Sequence, residues 1–112
     1  MEHIQKGIAG EARACAYLKE KGYQIIEQNY RSGRGEIDII AIREACLYFI
    51  EVKFRKNNKF GFPEEFVTEK KLSMIHKTAH AYVLQTDWKE RIQFDIISIT
   101  GNEVPVHIED IS

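Results

Sequence analysis

The chain has 112 residues, of which 44% are hydrophobic and 29% charged, and its formal net charge is −1. This length has room for one compact core, so we predict a single domain over residues 1–112. The sequence contains no apolar run of the ~18 residues that cross a membrane, no secretion-signal layout at its start, and no metal-ligand spacing between its two cysteines. These features favour a cytoplasmic protein with reduced thiols, and the balanced charge excludes a polycation.

Hydrophobic periodicity and turn signals predict two helices and a mixed set of strands. The first helix is predicted over 2–21 and ends before Gly22. Strands follow over 23–29, 36–42 and 46–54, then a helix capped by Thr68 and running to about residue 85, then strands over 91–100 and 104–108. The order is αβββαβ with a short final strand, which predicts an α/β fold of one mixed sheet flanked by helices.

Glu11 interrupts the apolar face of the first predicted helix. Ile4, Ile8, Cys15 and Leu18 recur at helical spacing and predict the buried face, and Glu11 falls between them. A carboxylate on such a face is unfavourable unless a cation or hydrogen-bond donors meet it. Two interpretations stay open: Glu11 belongs to a functional site, or it lies partly exposed at the end of the apolar stripe.

The second and third strands are close enough in the chain to form an antiparallel hairpin. If the connection is centred between Glu44 and Ala45, side chains on one face meet across the two strands. The predicted pairs are Asp38–Glu51, Glu36–Lys53 and Ile40–Phe49. This register matches apolar with apolar residues, as a half-buried hairpin requires, and brings two carboxylates together beside a lysine.

Two adjacent carboxylates favour a cation between them, because both should not ionise otherwise. Asp38 and Glu51 offer hard oxygen ligands, so the sequence predicts Mg²⁺ or Mn²⁺, with the Val52 carbonyl as an additional ligand. Lys53 would then orient a water or stabilise negative charge in phosphodiester hydrolysis. The alternative is an ordinary cross-strand ion pair, since an acid two residues before a lysine occurs three times in this chain.

A locally basic segment follows the third strand, and it suggests contacts with nucleic acid. Its cations include Arg55, Lys56, Lys59 and Lys71. The alternative is a solvated loop and helix face. The four histidines, at positions 3, 76, 80 and 107, show no metal-ligand pattern, so no zinc site is predicted.

Several ordered sequence blocks resemble the YraN-like family of small bacterial proteins over nearly the whole chain. The blocks are Gly10-Glu11, Asn29-Tyr30-Arg31, Gly35-Glu36-Ile37-Asp38, Phe49-Ile50-Glu51-Val52-Lys53, Phe94-Asp95 and Val106-His107-Ile108. That family is usually placed in the PD-(D/E)XK nuclease superfamily, near Holliday-junction-resolvase-like folds. The resemblance implies a restriction-endonuclease-like αβββαβ core.

The resemblance also implies roles for individual residues. The metal-binding aspartate of the superfamily falls on Asp38, its Glu-x-Lys pair on Glu51 and Lys53, and its helix acid on Glu11. Lys71 resembles an auxiliary basic position, and Gln93 departs from relatives that often carry Arg there.

We therefore predict that the protein is a metal-dependent nuclease that acts on DNA, with structured or damaged DNA as one candidate substrate. Arg31, Arg55, Lys56, Lys59 and Lys71 are the predicted phosphate contacts. A homodimer would let one small domain reach both DNA strands. Two alternatives remain: a nucleic-acid-binding module of the same fold with little cleavage, and an interaction protein in which the polar cluster stabilises the structure.

Overall fold

The computed structural model describes residues 2–55 and 68–111, with side chains from Ala9 onward. The elements are α1 (Glu2–Glu20), β1 (Gln24–Ser32), β2 (Gly35–Arg43), β3 (Cys46–Arg55), α2 (Glu69–Thr86), β4 (Arg91–Thr100) and β5 (Val106–Ile108). The strands form one sheet in the order β1-β2-β3-β4-β5, in which only β3 and β4 run parallel. The predicted α/β class and the αβββαβ order with its short final strand are confirmed.

The register of the β2–β3 hairpin is set by a two-residue turn. Glu44 and Ala45 both have positive φ, 50° and 59°, and Arg43 pairs with Cys46 across them. Two residues of positive φ give a turn whose twist matches that of the flanking strands. The predicted pairing of Ile40 with Phe49 follows from this turn and is confirmed.

Each face of the sheet is covered by one helix. The core cluster under α1 includes Ala14, Leu18, Ile39, Ala41, Tyr48, Ile50, Ile97 and Ile99. The cluster under α2 includes Ile37, Ile40, Leu47, Phe49, Ile75, Ala79, Tyr82 and Phe94. Successive β3 residues alternate between the two clusters, as the period of a strand requires.

The helix ends are defined by local capping. Gly22 has a φ of 90°, its N–H donates to the Lys19 carbonyl, and the Tyr23 N–H donates to the Leu18 carbonyl, which closes α1. At the start of α2, the Thr68 hydroxyl accepts from the backbone N–H of Lys71 at 3.1 Å, so Lys71 lies in the first turn. Neither of the two described helices is long and apolar enough to cross a membrane.

Candidate active site

The strands β2 and β3 separate at the predicted site. Their ladder ends at the pair Ile39–Ile50, and beyond it the Val52 N–H donates to Asp38 Oδ2 at 2.8 Å. A side chain thus takes the place of a main-chain partner. The N–H and C=O of one strand residue point to the same side, so the Val52 carbonyl also faces this gap.

Two of the three predicted cross-strand pairs therefore need correction. Asp38–Glu51 and Glu36–Lys53 are not ladder pairs, because the Asp38 carboxylate occupies the N–H that would continue the ladder. Glu36 instead forms an ion pair with Arg31 on β1, with 2.7 Å between Oε2 and Nε. Asp38 and Glu51 nevertheless line the same pocket, and the negative charge of Glu51 contributes to the raised pKa of Asp38.

The opposite edge of β2 is also irregular at Asp38. The β1–β2 register runs from Gln28–Ile39 to Tyr30–Ile37 and skips the intervening pair, where Asn29 has a φ of 54°. Ile37 then packs in the same core cluster as Ile40, so the alternation predicted for this segment is interrupted. The β1–β2 register is the same before and after Asp38, so the strands separate on the β3 side.

Glu11 reaches the site from α1. Its side chain is half-buried, and Oε2 accepts a hydrogen bond from Asn29 Nδ2 at 3.1 Å. Its negative charge is one of those that raise the pKa of Asp38. The carboxylate that breaks the apolar face of α1 therefore belongs to the polar cluster at the strand gap. No role was predicted for Asn29 from the sequence. Its residue type could have indicated one, because asparagine is polar and tolerates positive φ.

We expect Asn29 to be needed for its backbone conformation as well as for its amide. In Asn29→Gly the amide is lost but positive φ remains available, whereas Asn29→Ala places a Cβ in that conformation. Asn29→Ala should therefore be less stable than Asn29→Gly by about 1 kcal/mol in urea unfolding. Equal stability of the two variants would contradict this reading of the φ angle.

Glu51 lies between two lysines. Its Oε1 is 3.5 Å from Lys53 Nζ and also contacts Lys71 Nζ, and its side chain is only 14% exposed. Its other oxygen, Oε2, is buried and has no hydrogen-bond partner among the described residues. A buried carboxylate oxygen without a donor is unfavourable, and it marks a place where a ligand or cation can bind.

The ionisation of the cluster reflects burial and crowding of like charges. Burial, together with the charges of Glu51, Glu11 and Glu36, raises the pKa of Asp38 to about 6, although the Val52 N–H opposes the shift. Burial and the adjacent Lys71 lower the pKa of Lys53.

Lys71 responds in the opposite direction. Burial alone would lower its pKa, but the contacts with Glu51 and Lys53 and the negative charges of Glu51 and Asp38 raise it. The charged groups around Glu51 thus act on the pKa values of the two lysines in opposite directions.

The donor types at the strand gap are those that a hard divalent cation prefers, but among the described residues only Asp95, His107 and Glu109 have ligand atoms gathered within 4.8 Å of one another. Asp38, Glu51 and Glu11 supply carboxylate oxygens, the Val52 carbonyl faces the same gap, and Glu51 Oε2 has no donor among the described residues. These are the ligand types of Mg²⁺ and Mn²⁺. A cation would also remove the repulsion that raises the pKa of Asp38.

The other predicted basic residues are distributed around this cluster. Arg55 ends β3 and shares a face with Glu51 and Lys53 by strand period. The Arg31 side chain is 79% exposed and pairs with Glu36. Lys56 and Lys59 lie outside the described residues.

A second polar cluster was not predicted from the sequence. Asp95, His107 and Glu109 offer ligand atoms that all lie within 4.8 Å of one another, so these three residues could hold a metal ion. The sequence pattern gave no indication of this arrangement for His107. The available signal was Asp95, a charged residue within the apolar strand Arg91–Thr100, which must find a partner when buried.

Fold and site together define an α/β protein with a carboxylate and lysine site at a break in its sheet. Residues 10–99 match the family described as Uncharacterised protein family UPF0102, and the chain belongs to this family. The matched segment contains Glu11, Asp38, Glu51, Lys53 and Lys71. It ends before His107 and Glu109.

Bacterial relatives extend the similarity over nearly full length. A UPF0102 protein of Cytophaga hutchinsonii is 60% identical over 112 residues, which cover 100% of this chain and 99% of the relative. UPF0102 proteins of Persephonella marina and Phocaeicola vulgatus are each 43% identical, over 106 and 110 residues. These alignments cover 94% and 98% of this chain, and 90% and 91% of the relatives. The YraN-like resemblance is thus confirmed at the level of the family.

Proposed function

We propose that this protein is a metal-dependent nuclease of the PD-(D/E)XK type that hydrolyses phosphodiester bonds in DNA. The observation that carries the proposal is the buried oxygen Oε2 of Glu51, which has no donor among the described residues and lies near the crowded carboxyl of Asp38. A protein keeps such an arrangement at a cost in stability, and functional sites are where that cost is usually found.

Mg²⁺ or Mn²⁺ would be held by Asp38, Glu51 and Glu11, with the Val52 carbonyl as a further ligand. When bound, such an ion supplies polarisation of a phosphodiester and a lowered pKa for a water molecule. Asp38 is held in place by the Val52 N–H, and Glu11 by the amide of Asn29. Ligands restrained by their own hydrogen bonds form a preorganised site.

The two lysines have separate roles in this proposal. Lys53 lies on the same strand face as Glu51, partly buried, and is positioned to orient the attacking water or to meet negative charge on the phosphate. Lys71 enters from the first turn of α2 and is more exposed, at 38% of its side chain. It would leave Glu51 Oε1 and bind a phosphate oxygen of the substrate.

DNA is the proposed substrate because several cationic side chains lie around the site, where they would contact the phosphates of a bound DNA strand. Lys71 and Arg55 lie on the α2 side of β3, and Arg31 stands exposed beyond Glu36. Lys56 and Lys59, on the segment after β3, complete the proposed contacts. A second copy of the chain would supply the cut in the opposite DNA strand.

A DNA-binding module that does not cleave is the second candidate. One observation favours it: both lysine ammonium groups of the site already engage Oε1 of Glu51. If these ion pairs persist on DNA, the site binds phosphate without assembling a catalytic centre. Such a module would show affinity that falls steeply with salt and no cleavage.

Incubation with a panel of DNA substrates tests the proposal. Branched, nicked, single-stranded and duplex DNA should be cut in Mg²⁺ or Mn²⁺ in at least one case, and not in EDTA. Glu51→Gln should abolish cleavage, and Glu90→Gln, at an exposed position before β4, serves as the matched control. If wild type binds DNA and leaves every substrate intact in Mn²⁺, the binding module replaces the nuclease.

A further inference from the structure

We propose that Asp95, His107 and Glu109 form a second metal site, selective for a transition metal such as Zn²⁺ or Co²⁺ over Mg²⁺. The three residues come from β4, from β5 and from the segment that follows β5. Their ligand atoms lie within 4.8 Å of one another. The site does not depend on the nuclease proposal.

This cluster lies on the opposite face of the sheet from Glu51. Asp95 pairs with Ile50 in the β3–β4 register, and Ile50 belongs to the core under α1. The His107 ring contacts Tyr17 of α1 edge-on, with 5.8 Å between centroids. Glu51 instead contacts Lys71 of α2. The two sites can therefore be filled and tested separately.

Asp95 is held as a metal ligand would be. Its side chain is fully buried, and Oδ1 accepts two hydrogen bonds, from Gln93 Nε2 at 3.0 Å and from the Asp110 N–H at 2.9 Å. These bonds fix the carboxylate so that Oδ2 faces His107. Restraint of a ligand oxygen by neighbouring donors is the usual support of metal sites.

The spacing of Asp95 and His107 suits a shared ion. Oδ2 and Nε2 are 2.7 Å apart. Ligand atoms at 2.0–2.2 Å from a tetrahedral ion are roughly 3.4 Å from each other, so the two groups would have to separate by about 0.7 Å for a metal to take the place of the shared proton. Glu109 is exposed and can close on the ion from the solvent side. Water would complete the coordination.

The surrounding charges explain the expected selectivity. Glu109 and His107 share a polar pocket with Lys21 and Arg43, and two nearby cations disfavour a metal ion that is held by charge alone. A site without excess negative charge binds hard cations such as Mg²⁺ weakly. Its affinity must then come from the imidazole nitrogen, which favours Zn²⁺ and Co²⁺.

A metal at this position would hold the end of the described chain to the sheet. The Asp110 N–H already donates to Asp95, and the Ile111 N–H donates to the Phe94 carbonyl at 2.8 Å. An ion bound by Asp95 and Glu109 would add a third connection between this segment and β4. Zn²⁺ should therefore raise the unfolding temperature by mass action.

Titration of the EDTA-stripped full chain with Co²⁺, followed by visible absorption, tests the site. In excess Mg²⁺, which occupies the carboxylate site at Asp38 and Glu51, wild type should still bind one Co²⁺ with a d–d band, and Zn²⁺ should displace it. Removing a hydrogen-bond partner of a metal ligand already lowers affinity by about 10–100-fold, so His107→Gln should lower it at least tenfold. Glu109→Gln, at an exposed position that tolerates substitution, should also weaken binding.

Two control variants make the result decisive. Glu90→Gln and Glu103→Gln, at exposed positions, should leave Co²⁺ binding unchanged, because neither residue belongs to the cluster. The proposal is overturned if wild type gives no Co²⁺ band, if Glu109→Gln and His107→Gln both bind as wild type does, or if Glu51→Gln abolishes the band. In the first two cases Asp95 and His107 share only a proton.

Discussion

Lys53→Ala is expected to lower DNA cleavage by about 10²-fold or more, the scale found when a positioned catalytic donor is removed. The Lys53 side chain is 24% exposed and its Nζ is 3.5 Å from Glu51 Oε1, so it lies inside the site and contributes little to the outer phosphate contacts. DNA affinity, measured in EDTA, should therefore change only slightly. Stability should also be nearly unchanged, because Lys71 continues to pair with Glu51.

Lys70→Ala is the matched control, because Lys70 is exposed on the first turn of α2 beside Lys71. It should leave the cleavage rate within about twofold of wild type, since exposed charges away from a site have small effects. A Lys53→Ala protein that cuts DNA as fast as Lys70→Ala would remove Lys53 from the catalytic role. A parallel loss of affinity and rate would instead make Lys53 a phosphate contact.

Asp38→Asn is expected to stabilise the metal-free protein at pH 8. In the folded protein the pKa of Asp38 is raised from 3.8 to about 6, so ionising this carboxyl above pH 6 opposes folding. The difference corresponds to about 1–3 kcal/mol of unfolding free energy. Asparagine keeps an acceptor for the Val52 N–H and carries no charge.

The difference in unfolding free energy between Asp38→Asn and wild type should depend on pH. The contribution of Asp38 to wild-type stability is fully present below pH 4 and is lost as the pH rises through about 6, so the advantage of Asp38→Asn should shrink as the pH falls from 8 to 4. Urea unfolding in EDTA at several pH values measures it, with the exposed Glu90→Gln as control. An Asp38→Asn protein that is less stable than wild type at pH 8 would show that the charge is already compensated.

The local signals in the sequence were sufficient for the elements and for one hairpin register. The apolar alternation of β2 and β3, with a short connection at Glu44 and Ala45, predicts the pairing of Ile40 with Phe49. The misplacement of Glu11 on an apolar helix face likewise predicts its approach to the sheet. These features depend on residues close in sequence or on simple periodicity.

The break in the sheet could not be predicted from those signals. It arises because the Asp38 side chain takes the Val52 N–H, a competition between side chain and main chain that periodicity does not encode. The positive φ of Asn29 adds a second irregularity at the same place. Extending an ideal ladder therefore placed Asp38–Glu51 and Glu36–Lys53 as pairs that do not form.

The cluster of Asp95, His107 and Glu109 was missed for a different reason. His107 and Glu109 follow Asp95 by 12 and 14 residues in the sequence. They come close to Asp95 only because β5 pairs with β4, where His107 lies opposite Ile97. No short spacing rule for metal ligands covers that distance. Only the three-dimensional pairing of an edge strand brings these groups together.

Mn²⁺ titration of the EDTA-stripped chain, followed by electron paramagnetic resonance, measures whether Asp38 and Glu51 bind a divalent metal. Wild type should bind Mn²⁺, Glu51→Gln should lose at least tenfold in affinity, and His107→Gln should bind as wild type does. Failure of wild type to bind Mn²⁺ at millimolar concentration, or unchanged binding in Glu51→Gln, would rule out a metal site formed by Asp38 and Glu51.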